Sequence, residues 1–196
     1  MPNPKPNETS LTGRLAFIQA TEKLKDVLRS AHTSQGRRES TPEHTWRLCL
    51  MAIVFQDQLP GLDFERVLKM CVIHDLGEAI HGDVAAVHQD AQNDKSARER
   101  NDLIALMAPL PAHVQGELLA LWDEYEAAAS PEARAVKALD KLETIIQHNQ
   151  GRNPPGFDYR FNLGYGRKHM AADPLFEELR ALVDAQTRQH LGVTES

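Results

Sequence analysis

Residues 72–83 read VIHDLGEAIHGD, so an apolar helical segment runs directly into His74-Asp75, with Glu78 and Asp83 following within eight residues. Ionisable groups placed against a core are costly unless something pairs with them. A bound cation is one such partner; capping and ion pairing are others. Two residues elsewhere complete a ligand set of suitable chemistry: His44, in the sequence TPEH, and Asp140, in KALDKLE. Imidazole and carboxylate together suit divalent transition metals, and four protein ligands leave positions open for water and substrate in an octahedral site. Neighbouring His74 and Asp75 diverge by roughly 100° around a helix, so they flank a point rather than stack. An ion at that point requires His44 and Asp140 to arrive from neighbouring helices. Each residue also has an ordinary reading, His44 as an exposed first-turn histidine and Asp140 as a partner of Lys137 or Lys141.

The elements that must position these residues are helices. Period-3.6 patterning dominates and strand-like alternation is nearly absent. A first helix is predicted after Ser10, with Leu11, Leu15 and Ile18, then Leu24, Val27 and Leu28, on its apolar side. A polar connection, SQGRRES, leads to a second helix with Thr41 as cap and Pro42 at the first helical position. It carries Leu48, Met51 and Phe55. Asp63 is the expected cap of a third helix, with Val67, Leu68, Cys71 and Val72, which delivers His74 and Asp75. Two more helices are expected over 94–107 and 112–128, and a further one after Ser130-Pro131 buries Val136, Leu139, Leu142 and Ile146. Residues 149–172, glycine-rich and weakly periodic, read as a long loop of the kind that is often a functional lid. Asp173-Pro174 opens a last helix with Leu175, Leu179, Leu182 and Val183 facing inward. Trp46 and Trp122 fall in apolar patterns and read as core. The expectation is an all-α fold: a flexible segment over 1–9, one domain over 10–191 and a flexible end over 192–196.

Composition narrows the function classes. The chain has 196 residues, 41% hydrophobic and 26% charged, the balance of a globular protein. A net charge of −6 argues against a surface for nucleic acid polymers or anionic membranes. The longest apolar run, LCLMAIVF, is far short of a membrane span. The polar start, MPNPKPNETS, lacks a signal-peptide pattern, and Cys49 and Cys71 read as free buried thiols, so a cytoplasmic location is expected.

The motifs RRESTPEH, VIHDLGEAIHGD and KALDKLE, in that order, resemble the HD-domain metal-dependent phosphohydrolases, whose signature is a His, an HD pair and a distant Asp. The similarity runs over roughly 14–147 and looks closest to the branch of 5′-nucleotidases acting on deoxynucleoside monophosphates. It implies one divalent ion (Mn, Co, Zn, Mg, Fe or Ni) on His44, His74, Asp75 and Asp140. It further implies Glu78 as the acid that orients or deprotonates the attacking water, and Asp83 as an acid that positions water or sugar. Arg29 matches an arginine that meets the substrate phosphate, and the branch follows that arginine with a Trp where this chain has Ser30. The Ser30 departure leaves base and sugar preference open. A homodimer is also implied. The remaining histidines, His81 and His88 among them, match no motif. The rival readings are a non-catalytic HD module that binds nucleotide or metal for regulation, and oxygenase chemistry on a di-iron site, which needs extra converging His ligands.

Overall fold

The computed structural model describes residues 8–83 and 95–192. Its helices are α1 (Glu8–Ala20), α2 (Thr41–Val54), α3 (Phe64–Ile73), α4 (Glu78–His81), α5 (Lys95–Met107), α6 (Ala112–Ala127), α7 (Pro131–Gln150), α8 (Tyr159–Gly164) and α9 (Pro174–His190). A short hairpin, β1 (Leu28–His32) and β2 (Arg38–Ser40), joins α1 to α2. The fold is all-α, as the periodicity implies. Helix α7 is the axis: it packs on α2, α3, α6 and α9, and most of its residues are buried. Its N-terminus is fixed by Ser130, whose side chain accepts from the Ala133 amide, and by Pro131. Leu48, Val67, Met70, Cys71, Leu103, Met107, Leu139, Leu142 and Ile145 fill the shared core.

The hairpin is the first departure from expectation. Val27 turns the chain into extended conformation, and β1 pairs antiparallel with β2, Leu28 opposite Ser40 and His32 opposite Arg38. Gly36 closes the turn with its amide on the Thr33 carbonyl, 2.9 Å away. Arg29 therefore sits on a strand and not at a helix end, and Leu28 is exposed. Arg37 binds Glu43, and Arg38 donates to the Leu28 and Arg29 carbonyls at 2.7 and 2.8 Å.

Several apolar faces point the other way from expectation. Helix α1 packs through Phe17 and through Gly13, where a Cβ would sit 2.0 Å from the Pro109 carbonyl oxygen. That contact turns Leu11, Leu15 and Ile18 outward. Trp46 is 66% exposed and shares its face of α2 with exposed Leu50, Ile53 and Val54, because His44, Leu48 and Ala52 take the inner face. Val72 on α3 is likewise exposed. On α9 the buried residues are Phe176, Arg180, Val183, Asp184 and Thr187, while Leu182 faces solvent.

Residues 149–172 are also more ordered than a loop. Helix α7 runs on to Gln150, Asp158 accepts from the Arg160 amide at 2.9 Å to start α8, and a 3-10 turn covers Arg167–Ala172. Arg180, fully buried, holds this segment: its guanidinium donates to the carbonyls of Asn162, Leu163 and Tyr165 at 2.6–2.9 Å and to Asp184 at 2.7 Å.

Candidate metal centre

Three helices bring His44, His74, Asp75 and Asp140 together. Helix α2 begins at a capping box in which Glu43 accepts from the Ser40 amide at 2.8 Å, so Ser40, and not Thr41, is the cap. One turn later His44 is fully buried against α7. Asp63 starts α3 by accepting from the Arg66 amide, and the helix ends as His74 and Asp75 enter a run of turns. Gly77 makes that run possible by close packing and not by flexibility, since a Cβ there would lie 2.4 Å from the Glu99 carbonyl oxygen on α5. Trp122 is buried, as its pattern implies, and its indole N–H donates to the His74 carbonyl at 3.0 Å.

The ligand atoms converge. His44 Nε2 is 3.1 Å from Asp140 Oδ1 and 3.8 Å from Asp75 Oδ2; His74 Nε2 is 3.1 Å from Asp75 Oδ2 and 4.0 Å from Asp140 Oδ1. Atoms of His44, His74 and Asp75 lie within 4.8 Å of one another, spaced as donors around an ion are. Both Nε2 atoms are buried and, despite these short approaches, neither makes a hydrogen bond. Buried imidazole nitrogens without partners are uncommon and ask for an explanation. A divalent cation supplies one, and the donor set suits it: two imidazole nitrogens and two carboxylates. The opposite nitrogens are spoken for. His74 Nδ1 donates to the Cys71 carbonyl at 2.8 Å, and His44 Nδ1 meets the fully buried Glu143 carboxylate. A carbonyl only accepts, so His74 must carry its proton on Nδ1 and aim an Nε2 lone pair at the centre.

Arg29 reaches the cluster from β1, its Nη1 3.4 Å from Asp75 Oδ2, Nη2 3.2 Å from Thr144 Oγ1 and Nε 3.6 Å from Glu39. Burial opposes its charge, but Asp75, Asp83, Asp140 and Glu78 outweigh burial and hold the guanidinium protonated. Glu78 opens α4 and is buried, accepting from the Thr41 hydroxyl at 3.0 Å. Burial, then the charges of Asp75 and Asp83, push its carboxyl up to about 9 in the cation-free chain. Burial also works against the Asp75 and Asp140 charges. His74 and Arg29 nonetheless hold Asp75 low, and Lys141 and His44 do the same for Asp140. Asp83 follows Gly82, partly buried, near enough for its charge to act on Glu78 and Arg29. His88 lies outside the described residues. His81 is exposed and bonds Asp102 at 2.7 Å.

Three contributors, Thr41, Tyr125 and Glu143, are not singled out by the sequence as site residues, and a fourth, Lys141, is the ion-pair partner of Asp140 that its ordinary reading names. From the sequence, Thr41 reads as a cap. Tyr125, within WDEYE, donates to Asp140 Oδ2 at 3.0 Å, and Lys141 Nζ lies 2.7 Å from the same oxygen. Glu143 sits on α7 one turn beyond Asp140. The three acids of WDEYE pair with Arg100, Arg66 and Lys137 rather than standing free in solvent. Cys71 is a buried thiol as expected, whereas Cys49 is half-buried.

Comparison with known proteins identifies the family. A family model described as an HD domain matches residues 21–180. The chain is 35% identical to the 5′-deoxynucleotidase HDDC2 of Danio rerio over 138 residues, 69% of this chain and 68% of that protein. It is 33% identical to the human protein of the same name, over 69% of this chain and 67% of the relative. The crystal structure of a predicted metal-dependent phosphohydrolase from Magnetospirillum magnetotacticum superposes with a TM-score of 0.81 at 31% identity, covering 95% of this chain and 97% of that one.

Proposed function

The chain belongs to the HD domain family, and on that premise we propose that it is a metal-dependent phosphohydrolase cleaving nucleoside 5′-monophosphates to nucleoside and phosphate. The observation that carries the reading is the pair of buried Nε2 atoms that make no hydrogen bond yet converge on two carboxylates, with Glu78 and Arg29 beside them. His44, His74, Asp75 and Asp140 would hold one divalent cation, which when bound supplies a polarising charge and a water of lowered pKa.

The chain's own residues do the rest. Arg29 carries a fixed positive charge at the cluster edge and offsets negative charge on the phosphoryl oxygens, exchanging its long contacts to Asp75 and Thr144 for shorter ones to substrate. Glu78, kept in place by Thr41, orients the attacking water and takes its proton once ionised. Asp83 positions water or the sugar. The names of the relatives favour a deoxynucleotide, while Ser30 gives no aromatic platform beside Arg29. The exposed apolar residues on α2 support a homodimer, which sedimentation of the full chain measures directly.

The deciding experiment strips the protein of metal and restores Mn²⁺, Co²⁺, Zn²⁺, Mg²⁺, Fe²⁺ or Ni²⁺ singly. Phosphate release is then followed from a panel of deoxy- and ribonucleoside 5′-monophosphates. Turnover of at least one nucleotide that depends on the added ion is expected. Absence of turnover with every ion and every phosphate ester sinks the hydrolase reading.

A further inference from the structure

We propose that Glu143, braced by Arg47, is a positioning residue for the cation site: it accepts the Nδ1 proton of His44 and so aims the Nε2 lone pair at the ion. The inference rests on the metal-binding reading above. His44 Nδ1 and Glu143 Oε2 are in hydrogen-bond contact, both side chains are fully buried, and the two residues are 99 positions apart in sequence. The second carboxylate oxygen is occupied as well. Arg47 Nε donates to Glu143 Oε1 at 2.6 Å, and Arg47 Nη1 donates to Gln150 Oε1 at 3.0 Å. The carboxylate is thus gripped on one oxygen by α2's imidazole and on the other by α2's guanidinium, one turn apart.

A fully buried carboxylate that faces an imidazole nitrogen fixes which nitrogen keeps the proton. It also raises the basicity of the opposite nitrogen, an effect that ligands in metal sites gain from outer partners. The two imidazoles of this centre differ in this respect: His74 has a neutral backbone carbonyl behind it, and His44 an anion. Glu39 also approaches His44, and Glu39, His44 and Glu143 could themselves flank an ion. That alternative is disfavoured because Arg47 already neutralises Glu143 and Arg29 stands beside Glu39. The contacts of Glu143 run to His44 and Arg47, so its effect should appear in metal affinity first.

The test measures Co²⁺ dissociation constants by competition with a chelating indicator, on the full-length chain and two variants. Glu143→Gln keeps the shape and removes the charge; Glu143→Asp keeps the charge and withdraws it by one methylene. We expect Co²⁺ affinity to fall roughly 10–100-fold in Glu143→Gln and by a smaller factor in Glu143→Asp. KM for the nucleotide should be unchanged, and kcat should recover at excess metal. Affinities within twofold of the parent in both variants overturn the proposal. If circular dichroism shows Glu143→Gln unfolded, Glu143→Asp alone decides by the same criterion. A parent chain that binds no Co²⁺ refutes the metal-site reading itself, a result distinct from failure of the Glu143 role.

Discussion

At the residue scale, the proposed chemistry turns on how Glu78 is held. Its carboxyl is buried, bonded to Thr41 and biased toward the neutral form until a nearby cation favours ionisation. Glu78→Gln should lower kcat by about 10²–10⁴-fold, the usual worth of a positioned acid or base, with metal affinity changed by no more than a few-fold. Thr41→Val removes one orienting hydrogen bond, about 1 kcal/mol, so a loss near fivefold in kcat is expected. Steady-state kinetics at saturating metal reads both, and full activity in Glu78→Gln would remove it from the mechanism. The convergence of His44, His74, Asp75 and Asp140 was legible in the sequence because few residue types suit a cation and the HD adjacency is short-range. Thr41 and Tyr125 were not, since a hydroxyl aimed at a carboxylate leaves no trace in spacing or periodicity. Glu143 stood within a quoted motif, yet only the packing of α7 on α2 shows what it faces.

At the element scale, periodicity gave helices correctly but did not say which face of each helix would be covered. Trp46 and Leu182 belong to stripes as regular as the buried ones, and the choice depends on neighbours far away in sequence, such as α7 against Leu48. Buried polar residues mislead in the opposite direction. Arg180 and Asp184 look like an i, i+4 surface pair, and in the fold they are the interior anchor for residues 162–165. That is also why 149–172 lacks a hydrophobic signature and still forms α8. Arg180→Ala should cost about 3–5 kcal/mol in urea unfolding, because it removes the buried cation from Asp184, which keeps only Arg167, and a charged donor from the carbonyls of Asn162, Leu163 and Tyr165. A loss below 1 kcal/mol would show that the segment is held by something else. An alanine at exposed Trp46 should change stability by less than about 0.5 kcal/mol in the monomer.

For the whole molecule, cation binding and folding are linked through pH. In the cation-free chain, His44 is raised to about 10: burial and Arg29 act to lower it, but Glu143 and Asp140 outweigh both. Its stabilising contribution is complete below the ordinary histidine value of 6.5 and is lost as pH rises toward 10. Glu78 loses stability in the same direction, because the unfolded chain ionises near 4.5 and the folded carboxyl only near 9. Ligation needs a deprotonated imidazole, so metal affinity rises over that same range. Binding at a 100-fold excess over Kd is worth about 2.7 kcal/mol. The melting temperature gained on adding metal should therefore be larger at about pH 8.5 than at about pH 6.5, as differential scanning fluorimetry can record. A gain that shrinks with rising pH would contradict the protonation states assigned to His44 and Glu78.

The distribution of the ligands along the chain has a further consequence. Helix α2 and the end of α3 place His44, His74 and Asp75, whereas Asp140 and nearby Glu143 stand on α7, beyond the Pro109–Pro111 connection. A chain divided at that connection leaves three ligands in one half and one in the other, so neither half holds the complete donor set. On the proposed ligand set, the centre would act as a coincidence detector for assembly, because tight coordination would require that the two halves of the polypeptide have docked in register.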